Sequence, residues 1–211
     1  MSLQRIYRRL RYGRPIIVVS GLPRSGTSMM MQMLEAGGLP ILSDDARKAD
    51  ESNPEGYREM ERVKELARGG DASWLREVRG RAIKIIAYYL PYLPSDLNYR
   101  VVFLQRDLTE VLASQGRMLA ARGETSDTDD ERLQGLFSDH LTEASRLLSE
   151  RSCFESIEVR YRQSIEDPER VAATVAGFLG GGLDVGAMAA TVKPDLYRNR
   201  ATHIPGAQGR I

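Results

Sequence analysis

Residues 16–34, IIVVSGLPRSGTSMMMQML, constrain the fold more than any other part of this sequence. The β-branched run at 16–20 ends in a glycine, as a buried parallel strand does. A loop follows, and an apolar helix is predicted over residues 27–36, where Gly37 and Gly38 end it. The four methionines of this helix are interpreted as core packing rather than as a cofactor box. A strand, a tight loop and a helix in this order predict an α/β domain.

The loop between this strand and this helix is suited to binding a phosphate or a sulfate. Gly21 and Gly26 allow backbone amides from about Ser25 to Ser28 to point into one concavity, and the helix adds its positive amino end. The spacing G-x-x-x-x-G resembles a nucleotide-binding P-loop. The lysine of that motif is absent, because Thr27 takes its place, and Arg24 supplies a cation inside the loop instead. The alternative is a glycine-rich turn that only connects strand to helix.

The rest of the chain alternates between strand-like and helix-like segments. Further strands are predicted over residues 81–89, 99–107 and 155–161, and helices over residues 56–68, 108–122, 131–150, 168–180 and 183–191. Such alternation predicts one domain, residues 1–211, with a three-layer α/β/α architecture and a mainly parallel central sheet. Ligands of such sheets bind beyond the carboxyl ends of the strands. The glycine loop and the segments QRD and RYRQS all follow strand ends, so we expect them on one rim.

Composition limits the functional classes. The chain has 211 residues, of which 42% are hydrophobic and 28% charged, as in one globular domain. The net charge of +1 gives no overall field for nucleic acid. The apolar runs are shorter than the roughly 20 residues of a membrane helix. One cysteine, Cys153, excludes an internal disulfide and, with two histidines, argues against a zinc site. We therefore expect a cytoplasmic protein without a bound metal, a membrane span or a nucleic-acid partner.

Both ends of the sequence differ from its middle. Residues 1–15 contain five arginines between positions 5 and 14 and lack the apolar core of a secretory signal. This arm is either a solvated segment or short helix over the sheet edge, or an arm that binds a polyanion. Residues 193–211 are predicted to be an irregular tail, and the acidic stretch 123–131 to be a loop.

A second anion-binding segment follows the strand at 99–107. Arg106 ends the strand and Ser114 comes eight residues later, about 12 Å away if all of that segment is helical. The two side chains can share a ligand only if Arg106 precedes the helix and reaches back along it. An arginine in that position pairs with two phosphate oxygens at once. The alternative is a strand-end arginine that pairs with Asp107.

These segments together resemble the sulfotransferases that use PAPS (3′-phosphoadenosine-5′-phosphosulfate). GLPRSGTS resembles their 5′-phosphosulfate loop, often written P-[KR]-S-G-T-[ST], and VVFLQRDLTEVLAS resembles their 3′-phosphate segment. VRYRQSIEDPERVAATVAGFLGG resembles their late Tyr-…-Asp-Pro-…-Phe-Leu segment. NPEGYRE and KIIAYYLPYLP resemble segments that lie between the two phosphate sites in many bacterial members. The resemblance spans residues 16–181 and rests on the joint order and spacing of the segments.

The resemblance implies a function and a set of donor-binding residues. The protein would transfer a sulfuryl group in line from PAPS to a hydroxyl or amine, without Mg²⁺, and would release adenosine 3′,5′-bisphosphate. Arg106 and Ser114 would bind the 3′-phosphate, and Tyr161 would contact the adenine. The family's C-terminal R-K-G segment has no clear match, and the nearest substitutes are Arg198 and Arg200. The 5′-phosphosulfate would be held by Pro23, Arg24, Ser25, Gly26, Thr27 and Ser28.

The resemblance also implies catalytic residues. Arg24 and Lys84 would stabilise the charge that develops during transfer. Many animal cytosolic members have a histidine two positions after that lysine, whereas Ile86 stands here, so a carboxylate base is expected. Glu59 is favoured, and the other candidates are Glu55, Asp44 and Asp45. On the residues alone, the alternative for Lys84 is a strand-edge lysine that reaches water, and the alternative for Glu59 is a solvated helix surface. His140 is expected to be a packed or solvent-edge residue rather than a catalytic one.

Two other functions fit parts of the sequence. One is a P-loop kinase or NTPase that uses ATP, against which the missing lysine and the missing Mg²⁺-binding carboxylate argue. The other is a non-catalytic nucleotide-binding domain of the same fold. The acceptor is left open among small molecules, glycans, lipids and peptides, and we expect it to contact residues 44–59 and the loop at 123–131. The oligomeric state is also left open.

Overall fold

A five-stranded, all-parallel sheet forms the centre of the protein, in the order β2-β3-β1-β4-β5. The computed structural model describes residues 3–44, 56–121, 123 and 129–194. The strands are β1 Ile16–Gly21, β2 Ile41–Leu42, β3 Ala82–Lys84, β4 Tyr99–Gln105 and β5 Phe154–Arg160. Helices cover both faces of the sheet, so the predicted three-layer α/β/α fold is confirmed.

The helices follow the strands in the pattern that parallel pairing requires. They are α1 Leu3–Tyr12, α2 Thr27–Ala36, α3 Arg62–Leu66, α4 Leu108–Ala121, α5 Asp130–Glu150, α6 Tyr161–Glu166, α7 Pro168–Leu179 and α8 Val185–Ala190. Two 3₁₀ helices, Ser73–Val78 and Ala87–Tyr92, flank β3. Within the described residues, no helix has both the length and the apolar character needed to cross a membrane.

Alternate residues of β1 divide the core between the two faces of the sheet. Ile16 and Val18 pack on the face covered by α5, whereas Ile17 and Val19 pack against α2 and α7. Three of the four methionines of α2, Met30, Met31 and Met33, are fully buried in this second cluster. The interpretation of these methionines as core packing is therefore confirmed.

The register of the sheet brings the functional segments to one edge. β1 lies between β3 and β4, with Val19 opposite Lys84 and Gly21 opposite Leu104. Because all strands run in the same direction, the loop after β1, the end of β3, Arg106 after β4 and Tyr161 after β5 all lie at the carboxyl edge. The expectation of a common rim is confirmed.

Two predicted elements were wrong over part of their length. The strand predicted over residues 81–89 ends at Lys84, and the chain then forms the 3₁₀ helix that contains Pro91. The helix predicted over residues 56–68 contains only Arg62–Leu66. Gly56 (φ 82°) and Arg58 (φ 47°) have left-handed backbone conformations, which a right-handed helix excludes.

Some elements were not predicted, and some predictions lie outside the described residues. Strand β2 has two residues, too few for a periodic pattern, and α6 begins directly after β5 with no turn residue between them. The basic arm forms α1, in agreement with the short-helix alternative. Residues 124–128 of the acidic loop and residues 195–211 of the tail lie outside the described ranges, although Asp129 caps α5 through the amides of Glu131 and Arg132.

Candidate active site

The loop between β1 and α2 is tightly folded, and two of its glycines have no room for a side chain. A Cβ at Gly21 would approach the carbonyl oxygen of Leu104 to 2.5 Å, and one at Gly26 would overlap the ring of Tyr161. Both glycines have positive φ, as does Arg24 (φ 68°). The Ser25 hydroxyl donates to the carbonyl of Leu22 at 2.7 Å, which closes the turn. The loop therefore holds a fixed shape just before the positively polarised first turn of α2.

Arg24 links this loop to α4. Its Nε donates to the Ser114 hydroxyl at 3.0 Å, and Ser114 is buried. The family resemblance implies that Arg24 binds a 5′-phosphosulfate and that Ser114 binds a 3′-phosphate. In the structure the two side chains are in direct contact. A guanidinium and a hydroxyl that meet at the mouth of a loop can both donate to one anion.

Arg106 lies beside the same loop. It precedes α4, as sharing a ligand with Ser114 requires, and its Nη1 donates to the Arg24 carbonyl at 3.0 Å. Its Nε pairs with the Glu110 carboxylate at 2.9 Å, and both side chains are less than a tenth exposed. Asp107 instead accepts from the amides of Thr109 and Glu110 and caps α4. The alternative pairing of Arg106 with Asp107 was therefore wrong.

Glu110 was not predicted as a site residue, although its spacing from Arg106 indicates a contact. Residues four apart on a helix are neighbours, and Glu110 follows Arg106 by four positions. Arg106 precedes α4 by two residues, so the pair connects the strand end to the first turn of the helix.

Tyr161 completes this group. The Arg106 guanidinium lies 4.3 Å from the centre of the Tyr161 ring, a cation–π contact. Burial raises the pKa of the Tyr161 phenol, and Arg106 offsets part of that rise. The phenol is consequently neutral at physiological pH and keeps its proton to donate.

On the other side of the loop, the buried ammonium of Lys84 contacts three groups. Its Nζ lies 3.0 Å from a Glu59 carboxylate oxygen, 3.0 Å from the Tyr57 carbonyl and 3.2 Å from the Ser28 hydroxyl. Lys84 is only 6% exposed, so the alternative of a strand-edge lysine that reaches water was wrong. Ser28 belongs to the first turn of α2, and it therefore connects Lys84 to the loop.

Of the four candidate bases, Glu59 and Asp44 lie in the described part of the chain, and their surroundings differ. Glu59 lies in the irregular segment before α3, with its side chain 27% exposed and paired with Lys84, so it is not a solvated helix-surface residue. The exposed Asp44 carboxylate accepts from the Glu61 amide, and the Asp44 amide donates to the Glu59 carbonyl at 3.2 Å. Glu55 and Asp45 lie outside the described residues.

A cavity of about 380 Å³ adjoins the loop between α5 and strands β4 and β5. Its lining includes Leu22 and Ser25 from the loop, Arg106 from the site, and Ser145 and Ser149 from α5. His140 precedes Leu141, another lining residue, and its ring centre lies 5.3 Å from that of Tyr88, in agreement with the packing interpretation.

The site can bind anions and transfer a proton. Two guanidiniums, an ammonium and several hydroxyls meet at the carboxyl edge of the sheet, with the Glu110 carboxylate beside Arg106 and the Glu59 carboxylate beside Lys84. Within the described ranges, no group of three histidine, cysteine or acidic residues is arranged to hold a metal ion. Arg198 and Arg200 lie outside the described residues.

The solved structures that resemble this chain include three sulfotransferases. The sulfotransferase domain of the olefin synthase from Synechococcus PCC 7002 is 17% identical with a TM-score of 0.52, covering 88% of this chain and 79% of that chain. The sulfotransferase from Alicyclobacillus acidocaldarius is 15% identical (TM-score 0.49, 87% of this chain, 88% of that chain). The sulfotransferase domain from the curacin biosynthetic pathway is also 15% identical (TM-score 0.48, 87% and 79%).

The likeness to the olefin synthase domain shows that this chain has a sulfotransferase-like fold. The two lower TM-scores add no further support. No protein-family model and no curated protein sequence matches the chain.

Proposed function

We propose that this protein is a PAPS-dependent sulfotransferase that transfers a sulfuryl group to a hydroxyl or an amine and releases adenosine 3′,5′-bisphosphate. One observation carries the proposal. At the mouth of the glycine loop, the Arg24 side chain donates to the Ser114 hydroxyl, and Arg106, 82 residues further along the chain, donates to the Arg24 carbonyl. The sulfotransferase-like fold supports the same proposal.

The residues at this rim have the chemistry that PAPS requires. Its two ends are both anionic, and the site has one cationic group on each side of the loop: Arg106 on the β4 side and Lys84 on the β3 side. One guanidinium can bind two oxygens of the same phosphate, and the amino end of a helix attracts an anion. The Glu110 carboxylate and the Arg24 carbonyl fix the plane of the Arg106 guanidinium before a ligand binds.

The proposed roles follow from position. Pro23, Arg24 and the first turn of α2 would hold the 5′-phosphosulfate, and Arg106, Ser114 and Tyr161 would hold the 3′-phosphate and adenine. Lys84 touches Ser28 and so is placed to stabilise negative charge on the leaving oxygen. Such preorganised cations act strongly in a buried site because little solvent screens them.

Glu59 is the proposed general base. Among the described base candidates it lies within 3.0 Å of Lys84, whereas the Asp44 carboxylate is turned to the backbone of Glu61. A base must reach the proton that it removes, and the contact of Glu59 with Lys84, the proposed transfer cation, supports this role.

The acceptor is proposed to be a hydroxyl or amine of a small molecule, a glycan, a lipid or a peptide, and the compartment to be the cytoplasm. The only cysteine, Cys153, is buried and forms no disulfide, which is compatible with a reducing compartment. We propose no role for a metal ion.

Calorimetric titration with adenosine 3′,5′-bisphosphate, without Mg²⁺, tests the proposal. The bisphosphate should bind more tightly than 5′-AMP or ATP, and Arg106→Ala should weaken it about 10- to 100-fold, as loss of a charge-assisted phosphate contact does. Arg146→Ala is the matched control, because Arg146 forms exposed ion pairs on α5. The affinity of Arg146→Ala for the bisphosphate should equal that of the unaltered protein.

Each other result points to a rival function. ATP binding that requires Mg²⁺ would indicate a kinase or an NTPase, and absence of nucleotide binding would leave only the fold. Selective bisphosphate binding without transfer from PAPS to any acceptor in a broad screen would indicate a non-catalytic nucleotide-binding domain.

A further inference from the structure

Hydrogen bonds of Arg8 and Asn98 attach helix α1 to the protein. Arg8 donates from Nη2 to the carbonyls of Ser95 (2.7 Å) and Leu97 (2.9 Å), and from Nε to the Asn98 side chain (3.1 Å). Asn98 in turn donates to the carbonyls of Arg8 and Gly13. These contacts lie just before β4, so α1 is fixed at the amino edge of the sheet, opposite the proposed active site.

Three apolar side chains in the described part of this helix are exposed. Ile6, Tyr7 and Leu10 are 43%, 61% and 83% exposed. At about 100° per residue, these three positions fall within an arc of about 100°. In most surface helices such an arc faces the core, whereas here Arg8, outside the arc, contacts the protein.

Cations border this apolar arc. On the same helical projection, Arg9 lies on one side of the arc and Arg11 on the other, and both are exposed, as is Arg14. Residues 1–15 contain five arginines and no aspartate or glutamate, although the whole chain has a net charge of only +1. The positive charge is therefore concentrated around the exposed apolar side chains.

An apolar stripe between two rows of cations matches an anionic lipid surface. Such a helix lies in the plane of the interface, with its apolar side chains among the acyl chains and its arginines at the headgroups. A nucleic acid would use the arginines but gives no reason for exposed Ile6 and Leu10. We propose that α1 is a membrane-surface helix that binds the protein reversibly to anionic lipid, with the carboxyl edge of the sheet facing away from the membrane.

Vesicle flotation tests this proposal on the full chain. Vesicles with about one third phosphatidylserine should carry the protein, and pure phosphatidylcholine vesicles should not. Raising the salt from about 0.1 M to about 1 M should release most of it, because screening shortens the reach of the arginines from roughly 10 Å to roughly 3 Å.

Two variants separate the apolar from the electrostatic part. Ile6→Asp with Leu10→Asp should lower the bound fraction at least about tenfold, and Arg9→Gln with Arg11→Gln should lower it and weaken its salt dependence. Leu136→Asp is the matched control, because Leu136 is 48% exposed on α5, outside α1, and its loss should leave flotation unchanged. Circular dichroism and the thermal midpoint establish that each variant is folded.

A fluorescent variant gives a second readout that does not depend on the acidic substitutions. The indole of Tyr7→Trp should move its emission to shorter wavelength when phosphatidylserine vesicles are added, and should not respond to phosphatidylcholine vesicles. The proposal is overturned if neither readout responds to anionic lipid, or if Ile6→Asp with Leu10→Asp floats like the unaltered protein. Dimerisation through α1 without vesicle binding would also overturn it, because a second copy would then cover the arc. None of these results depends on sulfotransferase activity.

Discussion

The guanidinium of Arg106 and the carboxylate of Glu110 form an almost fully buried ion pair, with Nε 2.9 Å from the carboxylate oxygen. A buried pair of this kind adds little net stability over apolar packing, but removing one partner leaves the other charge desolvated. Because the same guanidinium contacts the Arg24 carbonyl and the Tyr161 ring, the pair fixes an arginine that belongs to the proposed 3′-phosphate site. Glu110 is thus a positioning residue in this proposal.

Glu110→Gln should lower the free energy of unfolding by about 2–4 kcal/mol, because it leaves the buried Arg106 charge uncompensated. The measurement is urea unfolding without ligand. Adenosine 3′,5′-bisphosphate should raise the thermal midpoint of this variant more than that of the unaltered protein, because a bound phosphate supplies the missing negative charge.

The control for that experiment is Glu143→Gln, which removes one partner of an exposed i,i+3 pair with Arg146. Exposed pairs contribute little, so its thermal midpoint should equal that of the unaltered protein. An equal ligand-induced rise in Glu110→Gln and in the unaltered protein would show that Arg106 does not meet the bisphosphate.

Gly26→Ala tests the contact between the loop and Tyr161. The new methyl group would overlap the aromatic ring at a position with φ 100°, so stability should fall by about 2–4 kcal/mol from backbone strain and overpacking together. Gly38→Ala is the matched control, because Gly38 has φ 89° and open space around it, and strain alone should cost about 1–2 kcal/mol. Equal losses of stability in the two variants would mean that the loop can move away from Tyr161 without a loss of free energy.

The sequence predicted the fold best where the determining signal is local. The helix predicted over residues 27–36 is α2, Thr27–Ala36, because the glycines on both sides of it and the apolar residues within it agree. Residues 56–61 lack such agreement: their path depends on left-handed backbone at Gly56 and Arg58, and on the Arg58–Glu35 ion pair with a distant helix. Periodicity contains no information on contacts of that kind.

The same distinction applies to the site. The segments with Arg24, Arg106 and Ser114 were identified because motif spacing and strand ends are properties of the sequence. The contact of Lys84 with the Tyr57 carbonyl could not be predicted, because it depends on how an irregular segment crosses the rim. The four-residue spacing of Glu110 from Arg106 is a property of the sequence, and it favours their pairing as much as adjacency favours Asp107.

Lys84→Met should separate transfer from donor binding. Removal of one preorganised cation typically lowers a transfer rate about 100- to 1,000-fold, and most of the bisphosphate contacts proposed here lie on the other side of the loop. The transfer rate is measured as release of adenosine 3′,5′-bisphosphate when the sulfuryl group of PAPS passes to an acceptor found by screening or to water. The affinity for the bisphosphate is measured by calorimetry. Lys64→Met, at an exposed lysine paired with Glu61, is the control. A parallel loss of rate and affinity would assign Lys84 to ground-state binding instead.

Glu59→Gln tests the proposed base against Asp44→Asn. If Glu59 removes the acceptor proton, its amide variant should lose about 100- to 10,000-fold in rate while bisphosphate affinity changes little. Asp44→Asn should retain most of its activity, because the Asp44 carboxylate is exposed and accepts from the Glu61 backbone. The opposite result, with activity lost only in Asp44→Asn, would transfer the role of base to Asp44.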